Sequence, residues 1–190
     1  MGFLLRFQYF CPLAVFMAKY FIIPGLGNSG PEHWQTWFEQ TGNDFQRIWQ
    51  TEWDAPQCKD WISRIDQALS DEDLSEVILI GHSLGVMTIV QWATHHKKTI
   101  RGAFLVAPSD PEAPAYTFPA IGYTPVPLNR LQFPSIVVAS ENDPWVSIER
   151  ARFFAESWGS GFVNIGAAGH INAASGHGPW PEGLDLLKQL

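Results

Sequence analysis

Three residues of this chain have the types and the order that acyl transfer needs. Ser83 stands in Gly81-His82-Ser83-Leu84-Gly85. In a G-x-S-x-G of this kind the serine occupies a sharp turn between a strand and a helix, and its hydroxyl projects above the sheet. A side chain at either glycine position would collide with the adjoining strand or helix. A serine hydroxyl is a weak nucleophile until a base takes its proton, and the base needs an acid that fixes its tautomer. Around such an elbow the order along the chain is Ser, then Asp or Glu, then His. Asp143, in Asn142-Asp143-Pro144-Trp145, and His170, in Gly169-His170-Ile171-Asn172, follow in that order. Asp110 is the rival acid because it too follows a strand. Glu141 lies close to Asp143, and His177 rivals His170 from beyond the strand-to-loop junction.

The tetrahedral oxyanion of such a reaction needs two backbone donors. One is the N–H after the nucleophile, here Leu84, and the other comes from the loop after an early strand. Pro24-Gly25-Leu26-Gly27 supplies that loop and makes Leu26 the candidate. The run Gly25-x-Gly27-x-x-Gly30 also matches a dinucleotide fingerprint, and Asp44 and Asp54 flank the distance of a ribose-binding acid. A dinucleotide site leaves Ser83, Asp143 and His170 without a purpose, so acyl chemistry is preferred and no cofactor is expected. No set of His, Asp and Glu has metal-ligand spacing, so no metal is expected either. His33 reads as a structural hydrogen-bonder at a helix start. His95 and His96 read as complements to a helix dipole.

The elements that must position these groups alternate. Residues 20–23 are a short apolar run stopped by Pro24-Gly25, which predicts a buried strand. Gly30-Pro31 predicts a helix start with Pro31 at the first helical position. Residues 45–49 read as a weaker strand. Trp61, Ile62, Ile65, Ala68 and Leu69 form an amphipathic helical stripe. Strands are expected at 77–80, 103–106, 136–139 and 162–165, and helices at 84–95 and 184–190. A further helix is expected with Ser147 as its N-cap and Gly159 after Trp158 as its end. Strands apolar throughout and alternating with helices predict an α/β fold, a mostly parallel central sheet covered on both faces. Residues 108–134 hold seven of the fourteen prolines and no clear period. Loops this long inside a compact domain are usually functional or mobile, and this one should begin at the carboxyl edge of the sheet.

At 190 residues the chain suits one domain, and 46% apolar with 16% charged residues excludes a mainly disordered one. A net charge of −7 and no basic cluster beyond Lys97-Lys98 argue against nucleic acid as a partner. Two cysteines, Cys11 and Cys58, cannot build a disulfide framework, so a reducing, cytoplasmic location is the simpler reading. Residues 1–17 carry one charge and an apolar run too short to span a bilayer. They read as an over-extended start or dispensable tail, with a targeting segment as the alternative, before a single domain over 18–190. The nine tryptophans are mostly core by their helical spacing. Trp145 after Asp143-Pro144, and with less support Trp34, are the candidates to line a substrate pocket.

The Pro24-Gly25-x-Gly27 loop followed by His33-Trp34, the Ser83 elbow, Asn142-Asp143-Pro144, and Gly169-His170-Ile171-Asn172 with Ser175-Gly176 together resemble one family. They are similar to the α/β-hydrolase superfamily and, within it, to small serine hydrolases like YdeN and retinoblastoma-binding protein nine. The resemblance spans residues 18–190. It implies a compact fold without a large cap domain and a triad of Ser83, Asp143 and His170. The expected activity is a carboxylesterase-like serine hydrolase that cleaves a small acyl ester through an acyl-enzyme. The alternatives are a protein-interaction module on a hydrolase fold, or an acyltransferase with the same triad.

Overall fold

The computed structural model describes residues 18–190. The expected N-terminal extension, 1–17, lies outside the described residues. The strands are β1 (Lys19–Ile23), β2 (Phe45–Arg47), β3 (Val77–His82), β4 (Gly102–Val106), β5 (Ser135–Ala139) and β6 (Gly161–Asn164). The α-helices are α1 (Trp34–Thr41), α2 (Cys58–Ala68), α3 (Leu84–His96), α4 (Ile148–Trp158) and α5 (Pro181–Leu187). The strands form one six-stranded sheet in the order β2-β1-β3-β4-β5-β6, and every pairing is parallel. The order reverses between β1 and β3, and ligands in open α/β sheets bind in the crevice outside the carboxyl ends of strands at such a point.

Every residue of β3 is buried because both faces of the sheet are covered. Val77 and Leu79 point into a core shared with α2, α3 and α4. Ile78 and Ile80 point into a second core, where Trp34 and Phe38 of α1 meet Phe104, Trp180 and Leu187 of α5. The large rings fill these two layers: Trp34, Trp61, Trp92 and Trp158 are fully buried. Trp49 is the exception, 65% exposed after β2. Among the described residues no helix is long and apolar enough to cross a membrane.

Most expected elements are in place, and several boundaries move. Pro31 is not the first helical residue. Residues 30–33 form a turn closed by the His33 N–H on the Gly30 carbonyl, and α1 starts at Trp34 because the His33 side chain caps it. The second strand stops at Arg47, since only three residues pair with β1. The last helix begins three residues early, at Pro181, whose missing N–H costs nothing at a first helical position. The helix after Ser147 runs as expected: the Ser147 hydroxyl accepts from the Arg150 N–H, and Gly159 closes it in the left-handed region with φ 69°.

The proline-rich segment forms no helix or strand of its own, yet it is pinned along its length. Tyr123, Val126, Leu131 and Phe133 are buried in the α2–α3–α4 core. Gln91 of α3 donates to the carbonyls of Tyr123 and Pro125, and the Trp158 indole donates to that of Pro127 at 2.7 Å. Arg150 of α4 grips Asp110 and Glu112 at the segment's start.

Candidate active site

The loops after β1, β3, β5 and β6 meet at the carboxyl edge of the sheet, and each brings one functional group. Ser83 follows β3 directly. Its backbone sits at φ 55°, ψ −121°, a strained conformation for a residue with a Cβ. The strain lifts the hydroxyl out of the strand path and lets α3 start at the next residue. Close approach permits this turn: a Cβ at Gly85 would stand 2.1 Å from the Ile23 carbonyl oxygen, and one at Gly81 2.9 Å from the Val86 nitrogen. A side chain at Gly85 would therefore push α3 off β1, and one at Gly81 would push it off β3.

His170 Nε2 lies 2.8 Å from Ser83 Oγ. On the other side of the ring, Nδ1 lies 2.8 Å and 3.0 Å from the two carboxylate oxygens of Asp143. The Asp143 side chain is fully enclosed and also accepts the Trp145 N–H. Serine, imidazole and carboxylate thus form one chain of hydrogen bonds across three loops.

Three further contacts hold the imidazole loop. Asn142 Oδ1 accepts the Gly169 N–H at 2.7 Å and the Ser140 hydroxyl at 2.9 Å, which ties the β5 loop to the β6 loop. From below, the Trp34 indole donates to the Ile171 carbonyl at 2.8 Å, and His82 Nε2 lies 2.9 Å from the His170 carbonyl oxygen. Burial, aided by the neighbouring His33 and His170 rings, pushes the His82 pKa well below its ordinary value. The His82 ring is therefore neutral, and its Nε2–H donates to that carbonyl.

The loop after β1 leans directly on the elbow. A Cβ on Gly25 would stand 2.8 Å from the Ser83 Cβ and 3.4 Å from the Leu84 nitrogen. Among the described residues, neither the Leu26 nor the Leu84 N–H donates to a protein acceptor. Arg47 holds this loop in shape. It donates to Asn28 Oδ1 at 2.8 Å and to the Ser29 carbonyl at 2.7 Å, while pairing with Glu39 of α1. Gln35 adds a bond to the Ser29 hydroxyl and reaches the carbonyls of Ile23 and Ile80.

A cavity of about 220 Å³ opens over Ser83 and His170. Leu26, His33 and Asn28 bound one side, and Tyr116, Phe118 and Trp145 the other. Phe118 stacks edge-on to Trp145 with centroids 4.8 Å apart. A larger surface hollow of about 490 Å³ lies between the end of α3 and residues 129–133, but it is lined by Lys97, Lys98 and Arg130 and holds no nucleophile–base pair.

The family model described as Serine hydrolase matches residues 20–189. The chain belongs to the serine hydrolase family. A solved YdeN-like hydrolase of Pectobacterium atrosepticum is 36% identical to this serine hydrolase over 91% of the chain and 90% of its own, with a TM-score of 0.81. The ydeN gene product of Bacillus subtilis is 19% identical and covers 91% of the chain and 98% of its own, with a TM-score of 0.77. Est1E of Butyrivibrio proteoclasticus, solved with ferulic acid bound, is 14% identical over 90% of the chain and 85% of its own, with a TM-score of 0.65. These last two show the α/β-hydrolase fold alone. No curated protein sequence matches the chain.

In this serine hydrolase the rival residues stand elsewhere. Asp110 is taken up by Arg150, 3.0 Å away. Glu141 is exposed and accepts from Asn164. The His177 ring lies 3.3 Å from the Ser175 hydroxyl and edge-on to Trp180. The glycine run after β1 does not open a helix as a dinucleotide loop must, because a turn intervenes before α1. Trp34 corrects the pocket expectation. It is fully buried among Phe38, Phe104 and Trp180, since its helical face turns to the sheet, and it supports the imidazole loop from beneath. Trp145 does border the cavity. Sequence reading missed Gln35 and Arg47, and it quoted Asn142 beside Asp143 without the role the structure gives it. An arginine at the end of a short strand followed by a break is a signal only once the strand is known to lie beside the elbow.

Proposed function

We propose that this serine hydrolase is an esterase for small acyl groups. The observation that carries the reading is the His170 imidazole bonded at once to Ser83 Oγ and Asp143, both at 2.8 Å. Ser83 Oγ attacks the ester carbonyl carbon while His170 Nε2 takes the hydroxyl proton. The carbonyl oxygen becomes an oxyanion held by the N–H groups of Leu26 and Leu84. The intermediate collapses, the bond to the alkoxy group breaks, and His170 returns the proton to the leaving alcohol. Water then attacks the acyl-serine by the same steps and frees the acid. Asp143 keeps the His170 ring in the right tautomer and stabilises its cation.

The cavity's small volume and aromatic wall support short acyl chains, and the described residues include no cap over it beyond the pinned 108–134 segment. The buried free thiol of Cys58 is in keeping with a reducing, cytoplasmic setting. The partner this reading names is a small-molecule acyl substrate. A fluorophosphonate probe followed by an acyl-chain series tests this reading. Wild type should label at Ser83 and turn over acetyl to butyryl esters fastest, while Ser83→Ala should neither label nor turn over. Labelling that survives in Ser83→Ala would refute it.

A further inference from the structure

The His33 imidazole sits where two requirements meet. Its Nδ1 accepts the Gln35 N–H at 3.1 Å and so caps α1. A ring nitrogen that accepts has no proton, so the neutral ring carries its hydrogen on Nε2. That Nε2 is buried and has no hydrogen-bond partner among the described residues. His33 is 6% exposed, lies edge-on to His82 at 4.7 Å, and borders the cavity over Ser83. Burial, with the Arg47 guanidinium behind it, holds its pKa down to about 3, so the ring stays neutral and this tautomer persists at working pH. A buried donor left unpaired costs free energy, and each such group in a native structure needs an explanation.

We infer that His33 is a specificity-determining residue whose Nε2–H selects an acyl group bearing its own oxygen acceptor, an alkoxyacyl or ketoacyl ester in preference to a plain alkanoyl one. The inference rests on the reading of Ser83 as the nucleophile. The chemistry follows from the layout. The leaving group must lie toward His170, which protonates it, and the ester carbonyl oxygen toward Leu26 and Leu84. His33 enters from the same β1–α1 loop as Leu26 and borders the cavity, and the acyl chain takes the space that the leaving group and the carbonyl oxygen leave. A site built to bond an acceptor discriminates against analogues without one, because binding them buries its donor unpaired.

The test uses p-nitrophenyl methoxyacetate and p-nitrophenyl butyrate, which differ by an ether oxygen in place of one methylene. The readout is the ratio of their kcat/KM values, compared between wild type, His33→Phe and His33→Asn, so intrinsic ester reactivity cancels. Asparagine is a good N-cap and keeps the bond to Gln35, but it is too short to reach the cavity. The ratio should fall about tenfold in both variants, mainly through loss on methoxyacetate. An unchanged ratio overturns the inference, as does an equal loss on both esters. Failure of the methoxyacetate to acylate a Ser83 that fluorophosphonate does label overturns it too, and leaves the nucleophile reading standing. A wild type that fluorophosphonate does not label removes the nucleophile reading and this inference together.

Discussion

Asp143 is enclosed on every side, so the bonds it makes are the whole of its environment. Among the described residues its oxygens bond to the His170 Nδ1 and the Trp145 N–H. Asp143→Asn keeps the shape but offers an amide donor where the ring needs an acceptor, which favours the wrong tautomer. Ester turnover should fall by about 10³- to 10⁴-fold with the circular dichroism unchanged, and a loss below tenfold would contradict the assignment. The buried His33 and His82 rings make a second residue-level prediction. In the unfolded chain each takes a proton near pH 6.5, whereas in the folded chain burial keeps both neutral, His33 down to about 3. Below pH 6.5 the unfolded state therefore binds more protons, and stability is lost as pH falls through this window. The melting temperature should drop between pH 6.5 and 5, where most carboxylates stay ionised, and drop less in His33→Asn, which has no ring to titrate. Parallel drops in the two proteins would count against this.

At the scale of elements, the site is a meeting of loops that two side chains keep aligned. Arg47, at the end of β2, is 6% exposed and joins Asn28, Ser29, Thr36 and Glu39. Arg47→Ala takes the donor from the Asn28 side chain and the Glu39 carboxylate, and leaves the Ser29 carbonyl only the Thr36 hydroxyl. It should cost about 2 kcal/mol in urea denaturation and lower kcat by about 10- to 100-fold, since the Leu26 N–H drifts from its place. An Arg47→Ala protein with unchanged kcat would show that the loop holds itself. Asn142→Ala should likewise lower kcat more than it raises KM, because it releases the Gly169 N–H and the Ser140 hydroxyl beside the acid and the base. These ties explain what could be read beforehand. Period and turn residues placed β1, β3, β4 and α3 nearly to the residue, because each is mostly apolar and bounded by Gly, Pro or the elbow. Ser83, Asp143 and His170 were legible since strand ends locate them. Arg47, Gln35 and Asn142 were not, because their value lies in which distant backbone groups they reach. Trp34 was misplaced for the same reason: helical spacing does not tell which face of α1 turns to the sheet.

For the molecule as a whole, Cys58 reports on cooperativity. It is buried at the start of α2, its backbone N–H bonded to Ile121 of the long segment, and burial pushes its thiol pKa up to about 11. Only the thiolate alkylates readily, so Cys58 should be protected from iodoacetamide in the native chain. In a urea series its modification, read by peptide mass, should follow the loss of helical signal, and reaction at the rate of a free thiol in native buffer would show local opening there. The pinned proline-rich segment has a different consequence. Its anchors, Tyr123, Val126, Leu131 and Phe133, belong to the core, whereas Phe118 and its neighbour Trp145 belong to neither core cluster and only border the cavity. These two rings thus stand apart from the residues by which the segment holds the fold. A lineage can exchange those two rings and explore new diets one substitution at a time, without spending the narrow thermodynamic reserve that keeps its descendants folded.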